Sequence, residues 1–404
     1  MLIKTSQFKD GIALVNSKMF NLMLFLITFV ILNNLLIWIE INEFVIFFSS
    51  YFVIGILFKN NSWYDKKRVR VLNYIFVIII LLALQMVFLD GITSMIANIS
   101  GYIIGGCIFC LKDELKEEIL LYVTRTFGWI LAVAIFFYLI YLVHPYPSVM
   151  TLKHPYGYFN HECYIFFILP SFHIIPRFSG PFIEPGHIAM FSCFILYANR
   201  FQFKKYKILY SFLLTILISL SLAGYVLLIV GYMFYRRVSF RTLFIAGLMG
   251  GMILLFVTKI WNDGKNPVNE LIVLRLQYDD EKGIAGNNRD LHDTDQFFEK
   301  AMSSGLLITG MGLRKFMELN SLDIIGGAGY KIFILQYGFI GCFLVFCYYG
   351  IIAYNFKKNI FSLLFLALLM ICFLQRAYPY WLAWLIPFVT AFNRFNFESS
   401  IIRK

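Results

Sequence analysis

The sequence predicts an all-α polytopic membrane protein with about twelve transmembrane helices, within a range of ten to twelve. Of its 404 residues, 60% are hydrophobic and only 14% are charged, whereas soluble domains carry about 25% charged residues. A soluble fold cannot bury so much apolar surface, so a lipid bilayer is the expected solvent of the chain. Apolar runs near the roughly 20 residues that a spanning helix needs recur along the sequence.

The predicted spans follow these runs in order, separated by short polar turns and two long polar segments. They are 19–39, 41–58, 71–89, 92–111, 119–143, 182–198, 203–220, 223–240, 242–260, 330–354, 360–376 and 379–394. The region 203–240 is short for two spans, and we expect two short helices there that meet at the polar run 219–224. A single span at this place would invert the topology of everything that follows.

Lysine and arginine predict the orientation, because positive charge marks the cytoplasmic side of short loops. With the N-terminus in the cytoplasm, the inner segments carry 22 of the 35 Lys and Arg residues. The short outer turns near 40–43, 90–91 and 221–224 carry none. The net charge of +12 follows from this topology. Since the basic residues alternate with spans and do not cluster on a soluble face, no nucleic-acid partner is predicted.

Two polar segments lie on the outer side in this layout, and long loops of this kind usually carry function. We expect a single integral membrane domain, 1–404, with extracytoplasmic loops at 144–187 and 261–329. Within the first loop, the apolar stretch 163–175 is too short to span the bilayer and is broken by Pro170. It is therefore predicted to be re-entrant or interfacial.

Three ionisable side chains converge in the short run that enters the predicted span at 182–198. They are Arg177, Glu184 and His187. Charged groups at a membrane boundary are functional candidates, so we interpret these three as candidate catalytic residues. The alternative is an ordinary helix-entry loop, in which Glu184 interacts favourably with the helix dipole.

The large loop and the outer end of a later span contribute further candidates. Arg289, His292 and Arg314 lie in the loop, and Arg376 ends the span at 360–376. A guanidinium matches phosphate oxygens and never loses its charge, so the arginines are candidate diphosphate ligands. The alternative is a solvated polar loop with local salt bridges. The sequence contains no nucleotide-binding loop and no metal-ligand cluster, so neither a cofactor nor a metal is predicted.

The run R-F-S-G-P-F-I-E-P-G-H-I-A at 177–189 resembles the R-x-S-G-x-F-x-E-P-G pattern of O-antigen and capsule polymerases of the Wzy type. Other pieces match that family in order over roughly 177–345: S-L-A-G-Y, G-N-N-R before L-L-I-T-G-M-G, and Q-Y-G-F-I-G. The related O-antigen ligases carry a histidine-asparagine pair before the last of these spans. This chain has Gly-Gly-Ala-Gly at 326–329 instead, which favours polymerase over ligase.

The resemblance implies a polymerase/ligase architecture of the GT-C-like kind in the bacterial inner membrane, with its active site facing the periplasm or cell exterior. Glycan repeats on undecaprenyl diphosphate are the implied substrates. The implied protein partners are a chain-length regulator and a flippase. We assign Arg177 and Arg289 to the diphosphate and Glu184 to the acceptor proton or to orienting Arg177. His187 is a second candidate base.

Three remaining candidates, His292, Arg314 and Arg376, are assigned to substrate binding. Other functions stay open at this stage: an O-antigen ligase, a flippase or transporter of lipid-linked oligosaccharide, and a membrane acyltransferase acting on sugars. A transporter would show repeated halves and helices broken at mid-membrane, and the sequence shows no internal repeat.

Overall fold

A computed structural model of the chain describes fourteen α-helices and two small sheets. The described residues are 18–33, 43–153, 160–170, 176–182, 184–236, 248, 251–252, 254–266, 268–269, 273–274, 278–279, 283–284, 292–321, 325, 329–354, 360–376 and 378–401. The helices are α1 (Lys18–Asn33), α2 (Glu43–Lys59), α3 (Lys66–Asp90), α4 (Ile92–Cys110), α5 (Asp113–Val143), α6 (Pro185–Ala198), α7 (Leu209–Ile218), α8 (Leu222–Arg236), α9 (His292–Ser303), α10 (Leu306–Thr309), α11 (Leu313–Ser321), α12 (Tyr330–Tyr354), α13 (Ile360–Gln375) and α14 (Leu382–Ile401). The strands are β1 (Met150–Lys153), β2 (Asn160–Cys163), β3 (Ile168–Pro170), β4 (Tyr278–Asp279) and β5 (Gly283–Ile284).

The helical architecture agrees with an all-α membrane protein. Within the described residues, α3, α4, α5 and α12 are long and apolar enough to cross a bilayer, and α1, α2, α6, α7, α8, α13 and α14 are shorter apolar helices. Each predicted span overlaps one of these helices except 242–260, of which the structure describes 248, 251–252 and 254–260. The count of twelve spans stays a prediction.

Helices α6, α7 and α8 form a tight three-helix unit in which α6 and α8 run parallel. A Cβ placed on Gly224, near the start of α8, would lie 2.6 Å from the Cβ of Ala189 near the start of α6. Further along α8, a Cβ on Gly231 would lie 3.4 Å from the ring of Tyr197, near the end of α6. The chain therefore reverses between α7 and α8, and the two short helices predicted here are confirmed.

Helix α6 lies at the centre of the bundle and holds one end of the site in a fixed place. Every residue of α6 except Gly186 is buried. It packs against α7, α8 and α14, while α5 packs against α7 and α14 from the other side. A helix that is apolar all round and covered on every face is rigidly held, so its first turn makes a firm base for functional groups.

The segment before α6 contains a small sheet that the sequence analysis does not predict. Of residues 163–175, which are expected to be re-entrant or interfacial, the described part, 163–170, contributes to a three-stranded antiparallel sheet. The position of this segment relative to a bilayer stays a prediction. Strand β2 lies in the middle of the sheet. Its Cys163 lies opposite Met150 of β1 on one side and opposite Ile168 of β3 on the other. Aromatic and β-branched residues dominate this stretch, and such residues favour strands. The described fold is therefore helical with a small sheet at one end.

The helices α9, α10 and α11 of the second long segment pack on the ends of α3 and α12. They share a small apolar core with α12 that includes Leu307, Met311, Phe316 and Leu335. Helix α9 includes the apolar residues Phe297, Phe298 and Met302. This segment is thus a folded cap on the bundle over its described residues.

Candidate functional site

The loop that enters α6 is fixed to its surroundings by backbone and hydroxyl hydrogen bonds. The Ser179 Oγ donates to the Ile168 carbonyl at 2.6 Å, and the Ile168 N–H donates to the Gly180 carbonyl at 2.8 Å. The Tyr138 hydroxyl of α5 donates to the Pro176 carbonyl at 2.8 Å. Gly180 has a φ of +54°, a conformation that a glycine adopts without strain. The motif is therefore held between the sheet and α5.

Arg177 reaches from this loop to the turn between α7 and α8. Its Nε donates to the Ser219 carbonyl at 3.2 Å and its Nη2 donates to the Leu220 carbonyl at 2.9 Å. Leu220 has a φ of +48°, an unusual value for a residue with a side chain. Carbonyls at a helix C-terminus carry partial negative charge and attract cations. The guanidinium thus closes the end of α7 and remains at the surface of the site, where it is only partly buried.

Glu184 pairs with Arg376, which follows α13 and is 192 residues away in sequence. The pair is bidentate: Nη1 donates to Oε1 at 3.3 Å, and Nη2 donates to Oε2 in a shorter bond. The two side chains are 27% and 17% exposed, respectively. Bidentate arginine–carboxylate pairs fix orientation as well as charge. The sequence alone assigned Arg376 to a supporting role, and the structure places it in direct contact with Glu184.

His187 occupies the first turn of α6 and is buried, with 3% of its surface exposed. Its ring meets the rings of Tyr378 and Trp381 edge-on, at centroid distances of 6.0 and 5.3 Å. Those two rings stack on each other at 4.1 Å. His187 therefore lies between Glu184 and the stacked rings of Tyr378 and Trp381. We call Arg177, Glu184, His187 and Arg376 the arginine cluster.

Two helix N-termini open onto the arginine cluster. Helix α6 begins at Pro185, directly after Glu184. Helix α8 begins after Ser221, whose Oγ accepts the Gly224 N–H at 3.3 Å in an N-cap. A Cβ placed on Gly186 would lie 3.5 Å from Arg376 Nη2 and 3.9 Å from Ser221 Oγ, so both helix starts meet above this glycine. Helix N-termini and guanidinium groups each favour a bound anion.

The motif T-G-M-G at 309–312 pairs with the motif Q-Y-G at 336–338. The Met311 N–H donates to the Leu335 carbonyl at 2.8 Å, and the Gly312 N–H donates to the Gln336 carbonyl at 3.1 Å. Gly338 interrupts α12 with a φ of +65°, and a Cβ there would lie 2.2 Å from the Thr309 carbonyl carbon. The two backbones approach so closely that only glycine fits.

Two side chains of α3 bind this junction. The Gln85 Nε2 donates to the Thr309 carbonyl at 3.0 Å and to the Tyr337 carbonyl at 2.5 Å. The Asp90 carboxylate accepts the N–H groups of Leu313 at 3.0 Å and Arg314 at 2.9 Å. Asp90 therefore caps α11 from a distant part of the chain, which satisfies its first free N–H groups. Sequence reasoning missed both residues, and the one available signal was a lone carboxylate in the short turn 90–91.

The remaining predicted site residues are not part of the arginine cluster as described. Arg289 lies outside the described residues. His292 begins α9, but its side chain also lies outside them. Arg314 is exposed on α11, which packs on α3 and α12 and not on α6. The described structure thus brings Arg376 to Arg177, and it does not bring Arg314 there.

Over the described part of the chain, no group of three or more His, Cys, Asp and Glu residues could hold a metal ion. No family model, curated protein or solved structure matches the chain.

Proposed function

We propose that this chain is a metal-independent glycosyltransferase that polymerises oligosaccharide repeats carried on undecaprenyl diphosphate. The product would be an O-antigen, a capsule or an exopolysaccharide made on the outer face of the bacterial inner membrane. One observation carries the proposal: two arginines from distant segments, a carboxylate and two helix N-termini meet at one end of an apolar bundle. A lipid diphosphate presents its charge at such a place.

The charge balance of the arginine cluster favours a diphosphate. Arg177 and Arg376 carry two positive charges against the single negative charge of Glu184. Both helix N-termini add partial positive charge. In sugar transfer from a lipid diphosphate, negative charge grows on the leaving phosphate oxygen as the anomeric C–O bond breaks. Fixed cations that face this oxygen stabilise the transition state without reorganising.

Glu184 is placed to accept the proton of the attacking hydroxyl. In the proposed step, the acceptor oxygen forms a bond to the anomeric carbon, the bond to the diphosphate breaks, and the hydroxyl proton passes to Glu184. Arg376 pairs with the Glu184 carboxylate. A diphosphate that takes over Arg376 would free this carboxylate to act as a base, which typically contributes about 10²–10⁴-fold in rate. In the first turn of α6, the backbone N–H of His187 donates to the Glu184 carbonyl at 3.1 Å.

The test uses the purified chain in lipid nanodiscs with lipid-diphosphate repeats extracted from cells that lack the gene. Elongated product supports the polymerase. Transfer to lipid A core would identify a ligase instead, and transport without any covalent change would identify a flippase. We expect Arg177→Ala and Arg376→Ala each to lower elongation at least about 100-fold, as loss of a fixed charge at a transition state does.

The matched control is Arg125→Ala, because Arg125 is an exposed arginine on α5 away from the arginine cluster. Its elongation rate should equal that of the wild type. Arg177 also holds the turn after α7, so thermal unfolding of each variant separates loss of fold from loss of chemistry. Near-normal chain lengths in both Arg177→Ala and Arg376→Ala would refute the roles proposed here.

A further inference from the structure

A cleft lies between α3, α4, α11 and α12, separate from the arginine cluster. It encloses about 350 Å³ of empty space, including its opening to solvent. Its polar lining comes from Gln85, Asp90, Asn98, Gln336 and Tyr337. The narrow inner part has room for one or two water-sized groups. We call it the Gln336 cleft.

Gln336 supplies the observation that points to a ligand. Its side chain is 6% exposed, and its Oε1 is buried without a hydrogen-bond partner among the described residues. Gln85, in contrast, uses its amide nitrogen on two backbone carbonyls. A buried acceptor without a donor destabilises the fold, and such groups in native proteins usually have a functional reason. A ligand that donates a hydrogen bond would satisfy Gln336.

The lining of the cleft selects the chemistry of that ligand. Among its described residues, the lining contains one carboxylate, Asp90, and no lysine or arginine. A phosphate would meet a like charge there, whereas a neutral hydroxyl group can donate to Asp90 and to Gln336. Asn98 can both donate and accept. Several hydroxyl groups on one small rigid frame are the property of a sugar, and the size of the inner cleft admits one edge of its ring.

Helix α4 connects the Gln336 cleft to the aromatic residues of the arginine cluster. Asn98 lines the cleft, and a Cβ placed on Gly101, one turn further along α4, would collide with the Tyr380 carbonyl. Next to Tyr380, the ring of Tyr378 stacks on that of Trp381, and both rings contact His187. Ligand sites combine such aromatic faces with a few fixed polar groups.

We propose that the Gln336 cleft binds the hydroxyl edge of a neutral sugar, near the acceptor end of the glycan. The role of this sugar as acceptor rests on the proposed function, but sugar binding itself does not. Gln336 is then a residue that determines acceptor affinity, and Asp90 both caps α11 and faces the sugar. In this proposal, the Gln336 cleft binds hydroxyl groups and the arginine cluster binds phosphate.

The direct test is saturation-transfer NMR on the chain in nanodiscs, free of glycosidic detergent. The probes are methyl glucoside, methyl galactoside and methyl N-acetylglucosaminide at millimolar concentration. We expect saturation transfer to at least one probe in the wild type, with a loss of about tenfold in affinity in Gln336→Leu. Asn98→Ala, on a different wall, should weaken the same probe. Absence of transfer to all three probes in the wild type would overturn the proposal.

The control variant is Gln202→Leu, the same chemical change in the turn that follows α6, outside the lining of the cleft. It should bind the probe like the wild type. Thermal unfolding gives an independent readout, because removing an unsatisfied buried acceptor does not destabilise a fold. Gln336→Leu should therefore unfold at a temperature at least as high as the wild type while it loses sugar. Retained sugar affinity in this variant would contradict the proposal.

Elongation kinetics separate this proposal from the previous one. Gln336→Leu should raise the KM for the acceptor about tenfold and leave the KM for the lipid-diphosphate donor unchanged. If the wild type binds sugar but elongates nothing, the proposed sugar site stands and the proposed polymerase activity is wrong. If the wild type elongates and Gln336→Leu does not change the acceptor KM, the polymerase activity stands and the acceptor role of the cleft is wrong.

Discussion

Two ionic clusters lie at opposite ends of α5, and they differ in charge balance. At the start of α5, Arg68 and Lys116 lie 2.5 and 3.3 Å from Asp113, and Arg68 also lies 3.7 Å from Asp65. The arginine cluster lies near Tyr138, 25 residues after Asp113 on α5. At the rise of an α-helix, this separation corresponds to about 37 Å. The first cluster has two cations for two carboxylates, whereas the second has two cations for one.

The two clusters also differ in how deeply their cations are buried. Lys116 is fully buried and also donates to the Phe109 carbonyl at 3.2 Å. Next to it, the Asp65 N–H donates to the Cys110 carbonyl at 2.9 Å, which ties the start of α3 to the end of α4. Arg376, in contrast, is partly exposed beside Glu184. A neutral cluster built around a buried lysine holds helices together, and a cluster with excess positive charge is suited to an anion.

The largest expected difference concerns Glu184. Replacing it with Gln removes the proposed base and leaves two guanidinium groups in place, so elongation should fall by about 10²–10⁴-fold. Unfolding free energy should change by less than about 1 kcal/mol, because a partly exposed ion pair contributes little. Initial rates and thermal unfolding on the same preparation measure both. A rate within a few-fold of the wild type would remove Glu184 from the chemistry.

The second expected difference concerns the cluster at the start of α5. Asp113→Asn leaves Lys116 buried without its carboxylate, and we expect a loss of about 2 kcal/mol of unfolding free energy. The value lies below the roughly 3–5 kcal/mol of a fully buried pair, since the Asp113 side chain is 43% exposed. Denaturant titration in mixed micelles measures it. Folded Asp113→Asn protein should elongate at the wild-type rate, and a specific loss of rate would show that this cluster is more than structural.

The smallest expected effect tests the turn that Arg177 holds. Leu220 adopts a φ of +48°, which a glycine tolerates without the cost of about 1–2 kcal/mol paid by other residues. Glycine also gains entropy in the unfolded chain, so Leu220→Gly should stabilise the fold by only about 0.5 kcal/mol. Differential scanning calorimetry measures the shift. A destabilised Leu220→Gly variant with reduced elongation would indicate that the leucine side chain itself supports the site.

The sequence predicts the helices well because hydropathy alone marks them. The short helices α7 and α8 follow from a polar break, Ser219–Leu220–Ser221, in a run too long for one helix and too short for two ordinary ones. The sheet β1–β3 was missed because an apolar stretch of that length favours a strand and an interfacial segment equally. Strand β2 pairs with β1, and β3 pairs with β2, and no local pattern reveals these partners.

The arginine cluster was predictable in part. Arg177, Glu184 and His187 are adjacent in sequence, so their motif shows them together. Arg376 is 192 residues from Glu184, and its direct pairing with that carboxylate needed the folded chain. Gln336 lies inside the glycine-bearing motif Q-Y-G-F-I-G, and nothing in that motif predicts a role for its side chain. Long-range hydrogen bonds leave no periodic trace in a sequence, which is why Gln85 and Asp90 were also missed.

The contact of Asp90 with α11 has a consequence for how the chain is made. Asp90 is complete early in synthesis, but the N–H groups that it accepts follow 223 and 224 residues later. Until residue 314 has been made, Asp90 cannot accept these N–H groups and α11 has no cap. About the first three-quarters of the polypeptide must therefore be made before α3 and α11 can join, and a chain that ends before residue 313 would lack this contact.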